Sequence, residues 1–285
     1  ATGMRLVLAI ALTMIAFAAN SVLTRLAVDG GHIDPSSFAI IRVLAGAVVL
    51  SMIMTVRGGT LRLFRRFRII GALSLAVYMA GFSLAYLTLD AGLGALILFG
   101  VVQMSMFAYA SATGVRPNTR QITGASLAFF GLMLALWPGP GGQSDAVGAA
   151  FMVLAGVGWA AYTISGRTET DPLAATTANF ILCLPLVTVA LVGLATQTTA
   201  IGWGLAILCG GVTSGLGYAI WYSVLPHIPQ NFAPVVQLSV PVIALVGGAI
   251  ILGEPVTLIV AIAAVLVICG IALALTSRSV PAERT

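Results

Sequence analysis

Arg42 has the most chemistry to offer, because it stands seven residues past Pro35 inside an otherwise apolar stretch. At 1.5 Å per residue it lies roughly 9 Å inside the start of its helix. A guanidinium at that depth can hold a carboxylate, snorkel to the interface, or pair with an acid at the nearer mouth. Tyr78, Phe82 and Tyr86 recur at i, i+4 and i+8, so they share one helix face. Tyr218 and Tyr222 repeat part of that stripe, with Trp221 beside it. Plain packing or an interfacial belt accounts for any single ring. A lipid-facing hydroxyl at Tyr78, however, would lack a partner, which favours an inward stripe. Phe99, Gln103 and Phe107 form a second stripe, with Gln103 either gluing helices together or binding a ligand. Asn20, Trp159, Tyr162, Asn179, Gln237 and Ser239 complete the substrate-binding candidates. Pro241 leaves the carbonyl near Gln237 without its helical donor, so a bend is expected there. Tyr86, Tyr222 and Pro241 are the gating candidates. Arg25 and Asp29, spaced i, i+4, read as a plain salt bridge.

Catalytic and metal chemistry find little to work with. His32 and His227 fall in loops, and Cys183, Cys209 and Cys269 occur singly within apolar runs. No acid pair or Ser–His arrangement falls within an apolar segment. No cofactor or metal is expected, and an enzyme ranks a distant third among the function classes.

The elements that must carry these residues follow from composition. Of 285 residues, 60% are hydrophobic and 7% charged, and the mean hydropathy is +1.10. Soluble domains carry about 25% charged residues, so the apolar surplus must face lipid. Stretches of spanning length fall at about 6–28, 36–56, 68–89, 93–113, 121–138, 147–166, 172–194, 201–225, 232–252 and 256–275. The ~10-residue alternating strands of a β-barrel are missing. The expected fold is an all-α membrane protein with ten transmembrane helices. Glycine pairs such as Gly211 and Gly215 would let helices approach closely.

All thirteen basic residues are arginine. Arg5, Arg57, Arg62, Arg65, Arg66, Arg68, Arg116, Arg120, Arg167, Arg278 and Arg284 fall on one side of a ten-helix topology. That bias places both termini in the cytoplasm of a cell inner membrane, so the net charge of +5 reports topology and no nucleic-acid partner. The expected partners are a small-molecule substrate and the lipid bilayer, and a monomer is allowed.

The halves resemble each other. Gly81-Phe-Ser-Leu-Ala-Tyr86 aligns with Gly217-Tyr-Ala-Ile-Trp-Tyr222, and Gly114-Val-Arg116-Pro117 with Gly253-Glu254-Pro255. Phe17-Ala-Ala pairs with Trp159-Ala-Ala, Arg25 with Arg167, and Asp34-Pro35 with Asp171-Pro172. Residues 1–3 read as a cloning remnant, 4–140 as a first five-helix repeat, 146–276 as a second, and 277–285 as a cytoplasmic tail. Five is odd, so the second repeat would enter the membrane inverted. That is the architecture of alternating-access transporters, with a site where the halves meet. A passive channel or flippase-like pathway ranks second.

Phe17-Ala-Ala-Asn20 through Arg25, Pro35 to Arg42, Gly158-Trp159-Ala-Ala-Tyr162 and Pro241 to Pro255 resemble the drug/metabolite transporter superfamily, EamA type. The resemblance spans the chain and is greatest to the amino-acid exporter branch, implying export of small amphipathic metabolites, aromatic amino acids included. Other branches carry drugs, nucleosides or sugar phosphates, and the last would demand several deep basic groups. Two residues depart from the family pattern: Arg116 stands where the first repeat usually has Glu, and Gln103 where it usually has Pro. All eight acids map to loops or helix ends, so transport without obligatory proton coupling is expected.

Overall fold

Two Asp–Pro pairs begin two helices in the same way. Asp34 Oδ2 accepts the Ser37 N–H at 2.8 Å and Asp171 Oδ1 accepts the Ala174 N–H at 3.2 Å. Pro35 and Pro172 each take the first helical position, where a missing N–H costs nothing. The computed structural model describes residues 2–114, 116–135, 145–166, 169–227 and 236–276. Arg167, Arg278, Glu283 and Arg284, and with them the expected tail, lie outside the described residues.

In chain order the helices are α1 (Thr2–Asp29), α2 (Pro35–Arg57), α3 (Arg66–Ala85), α4 (Ala91–Ala112) and α5 (Thr119–Ala135), then α6 (Ala146–Gly166), α7 (Pro172–Leu191), α8 (Ala200–Val224), α9 (Ser239–Ile251) and α10 (Leu258–Leu275). Seven of them, α1 to α4 and α6 to α8, are long and apolar enough to cross a membrane. Helices α9 and α10 are apolar but shorter, and α5 has 17 residues. Among the described residues there is no strand, only an isolated bridge between Ile33 and Thr198. Leu8, Val48, Phe130 and Ile250 are exposed, as side chains facing lipid would be.

The packing has a pattern. Helix α3 lies along α6 as α8 lies along α1; α4 meets α6 as α9 meets α1; α3 meets α7 as α8 meets α2. The remaining large contacts, α2 with α7, α5 with α10 and α4 with α9, join counterparts directly. Gly124 on α5 and Gly270 on α10 face each other, each occupying a place where a Cβ would strike the other's carbonyl. Small residues permit that approach. Gly114 (φ 101°) and Gly253 (φ 65°) follow the ends of α4 and α9 in the left-handed region.

Helix α8 is not uniform. Between two α-helical turns, Leu208–Leu216 winds as a π-helix, whose wider turn suits the glycines at 210, 211 and 215. The bend expected near Pro241 falls at Leu238, a turn between the helical residues 236–237 and the start of α9. Pro241 sits in the first turn of α9, where no intrahelical donor is lost. Pro185 is the proline inside a helix, on α7.

Candidate functional site

Gly210 decides how Arg42 is met. A Cβ there would collide with the Arg42 backbone carbonyl, so glycine lets the π-helical turn of α8 press onto α2 at this residue. The turn then presents Ser214, whose Oγ accepts from Arg42 Nε at 3.0 Å. A guanidinium nitrogen only donates, so the Ser214 proton is free to go elsewhere. It is donated to Asn20 Oδ1 at 3.0 Å, which also accepts from Thr213 Oγ1 at 2.6 Å. Cys209 Sγ lies 3.4 Å from the same oxygen. These bonds orient the Asn20 amide and leave its Nδ2 as the remaining donor.

The other arm of Arg42 meets two tyrosines. Arg42 Nη2 donates to the Tyr78 hydroxyl at 3.3 Å and to the Tyr218 hydroxyl at 3.4 Å. Tyr218 donates to Tyr78 at 3.3 Å, so Tyr78 accepts twice and its own proton is unspent. Nη1 of Arg42 is buried without a hydrogen-bond partner. The guanidinium carbon lies 4.8 Å from the Phe82 ring centre and 5.5 Å from that of Tyr78, a cation–π contact with each. Arg42 is 0% exposed, and among the described residues no acid forms an ion pair with it. Snorkelling and an acid partner, both open from sequence, are thereby excluded. An unpaired buried charge costs several kcal/mol, and this one is sustained only by hydroxyls and ring faces.

In front of the guanidinium the aromatic stripe closes into a wall. Phe17, Asn20 and Ser21 of α1, Tyr78 and Phe82 of α3, and Leu98 and Phe99 of α4 line a small cavity. Trp159 of α6 and Tyr218 of α8 complete it. Trp159 is the hub, its ring centre 4.9 Å from Tyr78, 5.0 Å from Tyr218 and 5.2 Å from Tyr162. The gap admits water and is too narrow for an amino acid, so a larger guest requires the walls to part.

Charges close both ends of the bundle. At the end holding the α3–α4 and α9–α10 connections, Arg25 reaches Glu254 at 3.3 Å, Asp90 at 3.4 Å and Asp29 at 3.4 Å. It also donates to the carbonyls of Tyr86 and Leu87. The plain Arg25–Asp29 pair read from sequence is therefore the weakest strand of a wider cluster, because Asp29 is largely exposed. Glu254 Oε2 accepts the Ala91 N–H at 2.9 Å, tying α9–α10 to the start of α4. Burial, reinforced by neighbouring Asp90, raises the Glu254 pKa, and burial raises that of Asp90. At the opposite end Arg68 and Glu169 form a buried two-pronged pair at 3.2 and 3.3 Å. Arg57 grips Asp171 at 2.7 and 2.9 Å, and its hydrogen bonds hold that carboxyl below the usual range.

The candidates thus divide. Asn20, Tyr78, Phe82, Trp159 and Tyr218 line one cavity, and Arg42 stands behind that lining, bonded to Tyr78 and Tyr218. Tyr162 stacks behind Trp159, and Tyr222 lies beyond it, 6.4 Å from Tyr162 ring to ring. Tyr86 is buried at the Arg25 end, its hydroxyl donating to Ala91 O at 3.1 Å. Gln103 lies one turn past Phe99 and Asn179 faces Gly71 of α3, both outside the cavity lining. Gln237 is helical just before the Leu238 turn and Ser239 begins α9, its Oγ donating locally to Val236 O. Sequence reasoning missed Ser214, Thr213 and Ser21. Two hydroxyls within a glycine-rich apolar stretch were the signal for the first two.

A model of the EamA-like transporter family matches residues 146–276. An uncharacterized protein of Pseudomonas aeruginosa is 41% identical over 277 residues, 96% of each chain. A crystal structure of a protein 17% identical in sequence superposes with a TM-score of 0.66, covering 93% of this chain and 97% of that one, and shares the fold. On this relationship and its apolar helices, the chain belongs to the EamA-like transporter family, within the drug/metabolite transporter superfamily, as a multi-pass membrane protein.

Proposed function

We propose that this protein carries small amphipathic metabolites, amino acids including aromatic ones foremost, out across the cell inner membrane by alternating access. The observation that carries this reading is the aromatic cavity over Arg42, built from helices of both halves of the chain and sealed by charge clusters at either end. Ten membrane crossings in two inverted five-helix repeats are supported by contacts that exchange when each helix is replaced by the one five places along. The paired caps at Asp34 and Asp171 and the facing glycines Gly124 and Gly270 support the same symmetry. Arginine-rich connections then put both termini in the cytoplasm.

In this reading Asn20, Arg42, Tyr78, Phe82, Trp159 and Tyr218 hold the substrate. Tyr162, Gln103, Asn179, Gln237 and Ser239 contact it as the walls part. Tyr86 and Tyr222 close opposite mouths, with the start of α9 at Pro241 moving beside Tyr222. A single deep cation suits one carboxylate better than a phosphate ester. No described acid lies within the bundle away from its ends, so movement follows the substrate gradient. The test is counterflow: liposomes preloaded with unlabelled phenylalanine should transiently accumulate labelled phenylalanine with no pH gradient or membrane potential. A channel would show equilibration without overshoot, and accumulation only under an imposed pH gradient would refute proton independence.

A further inference from the structure

We infer that the site selects its substrate by the carboxylate alone, so that the guest is an aryl or alkyl carboxylate and its amino group is dispensable. The inference rests on the reading of the cavity as the transport site and narrows the substrate class. Apart from the Ser21 hydroxyl in the cavity lining, the polar groups left unspent around Arg42 are donors. Nη1 has no partner, the Tyr78 proton has no acceptor, and the Asn20 carbonyl oxygen is filled by Thr213 and Ser214, leaving its Nδ2. Two donors that line the cavity, Tyr78 and Asn20, with the fixed positive charge of Arg42 behind them match a carboxylate, which only accepts.

The same inventory offers an ammonium no anion. No carboxylate lines the cavity, and the acids of the Arg25 cluster lie at the mouth beyond Tyr86. Aromatic faces can hold a cation, and Phe17, Phe99, Trp159 and Tyr218 supply some, but Tyr78 and Phe82 already receive the Arg42 guanidinium. A second cation there would meet the first with no anion between them. An anion, by contrast, neutralises a buried charge that otherwise stands alone.

Three probes of one skeleton decide the matter, on purified wild-type protein by ligand-induced thermal stabilisation and by competition in liposome counterflow. Phenylalanine has both charges, 3-phenylpropanoate only the carboxylate, and phenethylamine only the ammonium. We expect 3-phenylpropanoate to bind within about threefold of phenylalanine, and phenethylamine at least tenfold more weakly. In Tyr78→Phe, which keeps the ring and removes one donor, carboxylate affinity should fall about tenfold while the aromatic wall remains. Equal or tighter binding of phenethylamine would overturn the inference and leave the aromatic carrier standing. So would loss of 3-phenylpropanoate binding while phenylalanine still binds. If none of the three binds or competes, the cavity is not the transport site and the inference falls with that reading.

Discussion

Replacing Ser214 by alanine removes one oxygen and tests the whole network behind the cavity. That oxygen is the acceptor for Arg42 Nε at 3.0 Å and the donor to Asn20 Oδ1 at 3.0 Å. Asn20 keeps Thr213 at 2.6 Å, so its carbonyl stays satisfied, whereas Arg42 Nε loses its acceptor in a fully buried place. Hydrogen bonds to charged groups contribute about 1.5–3 kcal/mol, and neutral ones about 1 kcal/mol. A chain of this size loses roughly 2–4 °C of midpoint per kcal/mol. Ser214→Ala should therefore unfold about 3–12 °C below wild type, and Thr213→Val, which removes a neutral bond, about 2–4 °C below. Far-UV circular dichroism of solubilised protein on heating measures both. In an Arg42→Gln background the Ser214 penalty should shrink by about 1 kcal/mol, because the charge it served is gone. A Ser214→Ala midpoint within about 1 °C of wild type, or a larger loss from Thr213→Val, would refute the account of how Arg42 is held.

Cysteines placed at Tyr86 and Tyr222, with Cys183, Cys209 and Cys269 replaced, should respond oppositely to phenylalanine: one becomes more open to thiol reagents as the other closes. Parallel changes would show that the two tyrosines do not guard different mouths. The acids divide by sign with pH. Asp90 and Glu254, whose pKa values are raised, contribute stability that is complete below their ordinary values of 3.8 and 4.5 and lost as pH rises through the folded ones. Asp171, whose pKa is lowered, contributes stability above 3.8 that is lost as pH falls through its folded value. Midpoints should thus rise as pH is lowered from 7 towards about 5, and Glu254→Gln should flatten that rise, whereas an unchanged slope would contradict it.

Helix positions were legible because lipid demands about twenty apolar residues per crossing, a signal strong enough to survive without periodicity. The starts of α2 and α7 were equally plain, since Asp-Pro states its own capping chemistry. The Tyr78–Phe82 stripe was readable because a mid-membrane hydroxyl must find a partner. What it found, the guanidinium of Arg42, was not readable, because nothing in the spacing of α2 and α3 specifies their mutual depth. The π-helical turn was missed for a related reason: three glycines allow it, but only the press of Gly210 onto the Arg42 backbone requires it. Arg25 was assigned its nearest neighbour in sequence, Asp29, whereas burial rewarded the distant Glu254 and Asp90. The break before Pro241 was legible because proline leaves the Gln237 carbonyl without a helical donor, and the helix is interrupted at Leu238.

The cavity between the halves is the centre of the account, and counterflow by two variants tests it most directly. Trp159→Ala removes the ring that touches Phe17, Tyr78, Tyr162 and Tyr218, and Tyr78→Ala removes the hydroxyl between Arg42 and Tyr218. Each substitution deletes a buried aromatic worth about 3–5 kcal/mol, so protein that still elutes as a single folded species is compared at equal liposome density. The predicted result is phenylalanine counterflow at least tenfold below wild type in both variants. Wild-type rates in both would contradict the assignment of this cavity as the place where substrate is held.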